Sequence, residues 1–564
     1  MAQAQQSVAE LLRQGQALHQ QGQWHAAAAS YRAVLERQPR SFEALHLLGL
    51  LQLQSGHADE AVTLLERAAK LKPADAPTQT LLGVALQSTG NAEDSLEHFE
   101  RAAKLEPRNP EYHYNHGKAL RQSGQLDAAC NAYETAISLK PDHADALNNL
   151  SEVLTSIERP GDALLAADRA LVLKPGHAEA LSNRGAALLA LHRHDEAMAA
   201  LNQALALSPS LKRALVNRGT LHMYGNRFEQ ARADYHAVLA MAPDEALARW
   251  NLSTCDLTVG RFREGWTNFD ARWPAVLHGL HPQFDQPLWN GERDCGTVLL
   301  WGEQGLGDQI MFLSMLEDAA AAATLRVAPA PRLLPLLARS FPGLELCTPE
   351  SANADRRFDR YLCMGDLGRL FRPDAESFLN RRNAYLKADP DLRAKLRAQI
   401  AGPGERICGL SWFSSNKGFS KAKSVALADL SAALSCLPMR WLDLQYGDTA
   451  GERQDVRTAG GFNVEREPTI DTFNDVDGLA ALIDACDVIV TISNTTAHLA
   501  GALGKPVLLM LPHAVGRFWC WQAERSDTLW YPNVRVFRQP VEGDWASVLS
   551  EVRAALMDFA KLKS

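Results

Sequence analysis

Residues Thr297–Ala322 read TVLLWGEQGLGDQIMFLSMLEDAAAA, and the order of residue types in them decides the fold of the chain's second half. The apolar run at Val298, Leu299 and Leu300 has the composition and length of a buried strand. Gly302, Gly305 and Gly307 follow, and then a run of helix formers from Gln309 to Ala322. Strand, glycine turn and helix in that order make one βα unit of a doubly wound sheet, a fold that binds ligands at the carboxyl ends of its strands. The spacing G-x-x-G-x-G is not the G-x-G-x-x-G of dinucleotide folds, and the Lys-Ser/Thr ending of a phosphate loop is absent. The turn presents Asp308 instead, at the expected helix N-terminus. There it either caps the helix or offers a carboxylate to whatever enters the cleft.

Outward from this unit the pattern continues. TLRVAPAPRLLPLLARSF is a second strand and helix, and LELCTP and DRYLCM are further strands. A second series starts at ERICGLSWFSS, with strands in MRWLDLQYG, FNVERE, DVIVTISN and KPVLLMLP. Its helices fall in ALADLSAALSCL, VDGLAALIDACD and TTAHLAGALG, and WASVLSEVRAALMDFAKL is a long terminal helix. LHGLHPQFDQPLWNGERD, rich in turn formers, reads as a linker. The boundaries are an N-terminal Rossmann-like domain over 280–396 and a C-terminal one over 397–564.

Before residue 280 the chain is periodic. Pro39, Pro73, Pro107, Pro141, Pro175, Pro209 and Pro243 recur at one constant interval. Gly15, Gly49, Gly83, Gly117, Gly185 and Gly219 keep the same step, with Ser151 in the gap. Small residues let paired helices approach, larger ones such as Tyr31, Leu65, Phe99, Tyr133 and Tyr235 fill between them, and proline ends each second helix. A 34-residue period of this kind resembles the tetratricopeptide repeat, about seven of them in 8–245 with a degenerate eighth after. Residues 1–279 are therefore expected to form an α superhelix with a concave groove. Asn115, Asn149, Asn183, Asn217 and Asn251 share one position of the first helix. Each donates and accepts, so the row resembles the peptide-binding ladder of the eukaryotic protein O-GlcNAc transferase. Asn is also common at this position in the family at large.

Two other stretches carry chemistry. In TISNTTAHLAGALGKP a strand ends at Ser493-Asn494-Thr495-Thr496 and a helix starts at once, which makes either an anion site or a well-capped helix. His498 lies one turn inside. SWFSSNKGFSKAKS, from Ser411 to Ser424, places Lys417 and Lys423 on the loop after a strand, where they either face a ligand or are solvated. Gln445 and Tyr446 end another strand. Asp475-Val-Asp477 mimics a metal-binding DxD but directly precedes a helix, where capping is expected. No H-E-x-x-H, paired Cys/His set or G-x-S-x-G is present, so neither a metal nor a serine nucleophile is expected.

Composition excludes some classes. The chain is 46% hydrophobic and 22% charged with a net charge of −8, which argues against a nucleic-acid binder. The nine cysteines are scattered without a C-x-x-C pair, as in a reduced cytosolic protein. The N-terminus lacks the regions of a signal peptide, and no apolar run approaches a membrane span. The expectation is a soluble cytoplasmic protein.

WGEQGLGD together with AHLAGALGKP is similar to the heptosyltransferase-related GT-B glycosyltransferases, and in particular to bacterial proteins that fuse tetratricopeptide repeats to such a module. GRFREGWTNFDARW, SDTLWYPNVRVFRQ and GDWASVLSEV match that subgroup too. The resemblance implies two Rossmann-like domains facing a cleft and metal-independent, inverting sugar transfer from a CMP-, UDP- or ADP-linked donor, with no cofactor. It implies Asp308 as general base and places His498 at the donor site; donor binding is also expected of Gly305, Gly307, Ser411, Lys417, Lys423, Gln445, Ser493, Asn494, Thr495 and Thr496. It implies a Ser/Thr hydroxyl of a protein acceptor held by the repeats, with flagellin as acceptor and a nonulosonic acid as sugar. Where relatives usually read V-D-T, this chain has Ile492-Ser493-Asn494; the missing carboxylate leaves the donor open and is compatible with an acidic sugar. The alternatives are transfer to a glycan or lipid-linked acceptor, which needs no peptide groove, and a non-catalytic scaffold or chaperone.

Overall fold

The computed structural model describes residues 7–379, 382–415 and 420–561. From Val8 to Met241 the chain forms seven pairs of antiparallel helices, starting with Val8–Gln20 and Trp24–Arg37 and ending with Lys212–Tyr224 and Phe228–Met241. An eighth pair, Ala246–Thr258 and the short Phe262–Thr267, follows. The repeat sets the caps as well as the packing. Ser7, Ser41, Asp75, Asn109, His143 and His177, one repeat apart in turn, accept a backbone N–H at the start of the first helix of their pairs.

Packing inside each pair explains the glycines. A Cβ on Gly15, Gly49, Gly117 or Gly219 would meet the large side chain of the facing helix (Tyr31, Leu65, Tyr133, Tyr235) at 2.5–2.8 Å. The fifth pair solves the same contact differently: Ser151 replaces glycine, Ala167 replaces the large partner, and the Ser151 hydroxyl donates to the Ala163 carbonyl at 2.7 Å. The eighth pair repeats the device with Ser253 and the Gly265 carbonyl at 2.8 Å.

The chain divides into two compact units, 1–218 and 219–564. In the second unit, four parallel strands, β1 (Thr297–Trp301), β2 (Thr324–Ala328), β3 (Glu345–Leu346) and β4 (Arg360–Cys363), lie in the order β3-β2-β1-β4. Six more make a second parallel sheet: β5 (Ile407–Ser411), β6 (Arg440–Asp443), β7 (Val464–Glu465), β8 (Val488–Ile492), β9 (Val507–Leu511) and β10 (Val534–Arg538), in the order β10-β9-β8-β5-β6-β7. The fold is thus a repeat superhelix followed by an α/β region of two parallel sheets. The order reverses at β1/β4 in one sheet and at β5/β8 in the other. Those are the switch points where such sheets bind ligands. The strands that lead into the glycine turn and into Ser493-Asn494 are β1 and β8.

The compact unit begins before the linker at 280. The eighth helix pair and the segment after it carry Trp266, Phe269 and Arg272, all buried, and these pack into the core around β1 and β4. A Cβ on Gly368 would lie 2.3 Å from the Trp266 ring, and the Trp266 indole donates to the Arg372 carbonyl at 2.7 Å. Residues 219–279 therefore belong physically with the α/β region.

Candidate functional site

The glycine turn is held from behind. Arg272, wholly buried, donates to Glu303 at 2.9 and 3.0 Å and to Asp366 at 3.0 Å twice. Glu303 also accepts the Gly365 N–H at 2.7 Å, and a Cβ at Gly365 would collide with it. Burial works against the Arg272 cation, but Asp366 and Glu303 more than offset that and hold it charged. This network fixes the turn between β1 and the helix Leu306–Phe312, and it accounts for the basic-aromatic segment GRFREGWTNFDARW.

On the front of the turn, Asp308 occupies the third position of that helix and not the N-cap, which is Gly305. Its Oδ2 accepts the Gly305 N–H at 3.1 Å, so it does cap the helix, with one oxygen. Oδ1 bonds to no other residue among those described. Burial pushes the carboxyl up to about 6, against the pull of that backbone bond and of Lys423.

Gly307 faces the second sheet's helix Thr495–Ala502: a Cβ there would lie 2.8 Å from His498 Cδ2. Only glycine lets the two helices approach this closely. Asn494 caps the second helix and donates to Ser411 Oγ at 2.8 Å. The first N–H groups of this helix, at Thr495 and Thr496, have no partner within it. The Ser493 hydroxyl accepts from the Trp521 indole at 2.8 Å. His498 bonds Tyr531 Oη through Nδ1 at 2.9 Å, and burial, with Lys423 adding to it, drives it down to about 3, so it is neutral.

These groups meet in one cavity of ≈380 Å³. Gly305, Gly307, Asp308, Lys423, Ser493, Asn494, Thr495, Thr496 and His498 all line it. Lys423 is 2% exposed. Its ammonium sits 4.3 Å from the Phe518 ring centre, and among the described residues no carboxylate is in ion-pair range. Burial pushes it down to about 8, with Cys520 and Asp308 opposing. Aromatic rings form much of the remaining wall: Tyr446, Phe473 and Phe518, the latter two 55% and 39% exposed. Exposed aromatics gathered at one cavity are suited to stacking on a flat ligand.

Several expected residues have other tasks. Gln445 does not face the cavity. Its Oε1 accepts from Ser411 Oγ, Trp412 N and Phe413 N at 2.9–3.0 Å, and its amide donates to the Phe413 carbonyl. Ser411 and Gln445 therefore scaffold the loop after β5 from behind the wall. Lys417 lies outside the described residues. Asp475 caps the helix Val476–Ala485, and Asp477 pairs with Arg339 at 2.5 and 2.8 Å, so both carboxylates of the DxD are occupied. Among the described residues no cluster of three or more His, Cys, Asp or Glu could hold a metal.

In the asparagine row the structure corrects one position. Asn183 is buried; it donates to Asn148 at 2.9 and 3.1 Å and accepts from Arg213 at 3.2 Å. It ties neighbouring repeats together and is not open to a peptide backbone. Asn149 donates to Tyr114 Oη at 3.4 Å. Asn115, Asn149, Asn217 and Asn251 are half-buried. Sequence reasoning missed the charges beside the row: Glu152 bonds both Arg121 and Arg213, at 2.5 and 2.6 Å. It also missed Arg332, which lines the main cavity and donates to the Phe473 carbonyl at 2.6 Å.

Family models for the tetratricopeptide repeat match residues 12–76 and 216–262, 52–119 and 178–211, and a TPR-repeat model matches 117–155. The first part of the chain is thus a tetratricopeptide array, a class that generally binds protein partners. The chain is 33% identical over 322 residues to Protein FlbA of Caulobacter vibrioides, covering 53% of this chain and 52% of that one. It spans about half the length of the curated relative it matches. Among solved structures, MamA is 26% identical, with 29% of this chain and 95% of that chain covered and a TM-score of 0.28. A tetratricopeptide repeat protein from Parabacteroides merdae is 16% identical, with 44% and 98% covered and a TM-score of 0.38. Among the described residues no helix is long and apolar enough to cross a membrane.

Proposed function

We propose that this chain is a glycosyltransferase that moves a sugar from a nucleotide-activated donor to a Ser or Thr hydroxyl of a polypeptide. The observation that carries the reading is the convergence of Asp308, Lys423 and the N-terminus of helix Thr495–Ala502 on one cavity. A carboxyl near 6 is ionised at neutral pH yet more basic than an ordinary aspartate, which suits a general base. The acceptor oxygen attacks the anomeric carbon while its proton passes to Asp308 Oδ1. The bond from that carbon to the donor phosphate breaks, and its electron pair leaves on the phosphate oxygen. Attack opposite the leaving group inverts the configuration. The charge that develops on the phosphate is met by the Lys423 ammonium and the N–H groups of Thr495 and Thr496. Tyr446 and Phe473 offer faces for the nucleobase, and Ser493, oriented by Trp521, a hydroxyl for the sugar.

The repeats support a polypeptide as acceptor, and the family resemblance adds flagellin as the candidate. The test is calorimetry with CMP, UDP, GDP and ADP, followed by intact mass of the acceptor after incubation with the matching nucleotide sugar. One nucleotide should bind, and binding should weaken in Lys423→Met, which removes the ammonium that faces the phosphate. The acceptor should gain the mass of one sugar with the wild type and none with Asp308→Asn. No nucleotide bound by the folded protein, or full transfer by Asp308→Asn, would refute the reading.

A further inference from the structure

Beside the main cavity lies a second of ≈100 Å³, about a quarter of its size. One side comes from the ends of two repeat helices: Met223 and Tyr224 close Lys212–Tyr224, and Thr258 closes Ala246–Thr258. The other side is the loop after β9, with Arg517 and Phe518. Phe518 is a wall of both cavities, on the side of the main one where Lys423 lies.

Arg517 is built in. Its Nη2 donates to Asn226 Oδ1 at 2.6 Å and its Nη1 to the His513 carbonyl at 3.2 Å; the Asn226 amide in turn bonds His513 Nε2 at 3.2 Å. Asn226 stands at the helix-to-helix turn where other pairs carry Gly22, Gly56, Gly90, Gly124 or Gly260, and it takes their left-handed backbone with φ 55°. Asparagine tolerates that conformation better than most side chains, and here its amide positions a guanidinium.

What Arg517 lacks is a counter-charge. The buried Arg272 and Arg326 and the half-buried Arg339 each pair with carboxylates. Arg517 has neutral acceptors only, and among the described residues no carboxylate is in ion-pair range. Arg538 likewise donates to carbonyls, those of Trp521 and Gln522, at 2.8 and 2.6 Å. Arg517 is half-buried; a guanidinium partly withdrawn from water without an anion is destabilised, and an incoming anion offsets that.

On the premise that the main cavity is the sugar-transfer site, we propose that the small cavity receives a carboxylate side chain of the acceptor polypeptide, close in its sequence to the modified hydroxyl. The size admits a side-chain tip, not a sugar ring. One wall is made by the ends of helices of the tetratricopeptide type, the class of motif that receives polypeptides.

The test uses the full chain and labelled decapeptides with one central Ser or Thr and Asp, Glu, Asn or Gln at each flanking position, read by fluorescence anisotropy. Acidic peptides should bind the wild type about tenfold or more tighter than their amide counterparts, as a charged hydrogen-bonded pair implies. Arg517→Gln should remove the preference and Arg517→Lys restore part of it. Met223→Trp, which fills the cavity from the opposite wall without altering charge, should also remove it. Tryptophan-monitored unfolding shows which variants are folded. A preference absent from the wild type, or kept in Arg517→Gln and Met223→Trp, overturns the proposal. So does Arg517-dependent binding of free glucuronate without any peptide preference, which would assign the carboxylate to the sugar. Nucleotide binding is measured in parallel. An acidic-peptide preference without nucleotide binding supports the pocket and refutes sugar transfer; nucleotide binding without the preference refutes the pocket alone.

Discussion

Asp308→Asn should make the protein more stable and inactive at once. Burial raises the Asp308 carboxyl from 3.8 to about 6, so the fold disfavours its ionised form. The folded value lies above the unfolded one, so the destabilisation is full above pH 6 and fades as pH falls towards 4. Two decades of proton affinity at about 1.4 kcal/mol each give ~3 kcal/mol at pH 8 and about half of that at pH 5. The attraction to Lys423 is already contained in that value; the carboxylate's residual contact with water reduces the effect, and ~1–3 kcal/mol at pH 8 is the expected gain. Asn keeps an acceptor for the Gly305 N–H, so the helix cap survives. Of the twelve tryptophans, all except Trp24 lie at residue 250 or beyond, so tryptophan emission reports unfolding of the second unit. Urea titrations should show a gain at pH 8 that shrinks steadily to pH 4. No gain at pH 8, or a gain independent of pH, refutes the assignment of Asp308 as a carboxylate ionised against its surroundings.

Three further outcomes are expected. The pH profile of kcat/KM should rise to an apparent value near 6 as Asp308 ionises and fall above about 8 as Lys423 loses its proton; Lys423→Met should abolish the alkaline limb and weaken nucleotide binding, measured by stopped assays and calorimetry. Arg272→Ala leaves the buried Glu303 and the half-buried Asp366 without their cation, and should cost ~3–5 kcal/mol in the same urea titration. His192 holds a left-handed backbone (φ 58°) at a turn where most pairs have glycine. His192→Gly should stabilise its pair by up to ~1 kcal/mol, seen as slower hydrogen exchange in Ala178–Ala190 and His194–Leu207.

What the sequence discloses tracks how local the information is. The repeat period was legible because glycine, its large partner on the facing helix, the cap and the proline all recur inside one pair of helices. Even the exception at Ser151 is readable, since Ala167 changes with it. The strands ending at Trp301 and Ile492 were legible as apolar runs closed by a turn. The burial of Asn183 was not, because it depends on Asn148 and Arg213 in neighbouring repeats. Gln445 illustrates the same limit: a polar residue at the end of a strand looks the same whether it faces a ligand or clamps the next loop. Arg332 and Arg517 carry no local signal at all, since each matters only through a loop brought to it by the fold. The residues that sequence placed in one site from two distant motifs, Asp308 and Thr495, meet through Gly307, whose missing side chain admits His498.

The site combines features that each weaken a fold: a carboxylate and an ammonium withdrawn from water, and two helices in contact at a glycine. These persist because the surroundings over-determine them. Behind Asp308 the turn is fixed by Glu303, which is fixed by Arg272, which Asp366 and the Phe269 carbonyl hold in turn. Behind Ser493 stands Trp521, and Trp519, Trp530, Trp266 and Phe312 interlock edge to face beside it. Arg272, Trp266 and Phe269 come from the segment that follows the last repeat helix. The end of the repeat array is therefore part of the catalytic scaffold of the proposed transferase. Removal of residues 219–279 should cost the α/β region its stability, whereas changes within the earlier repeats should alter only what is delivered to it.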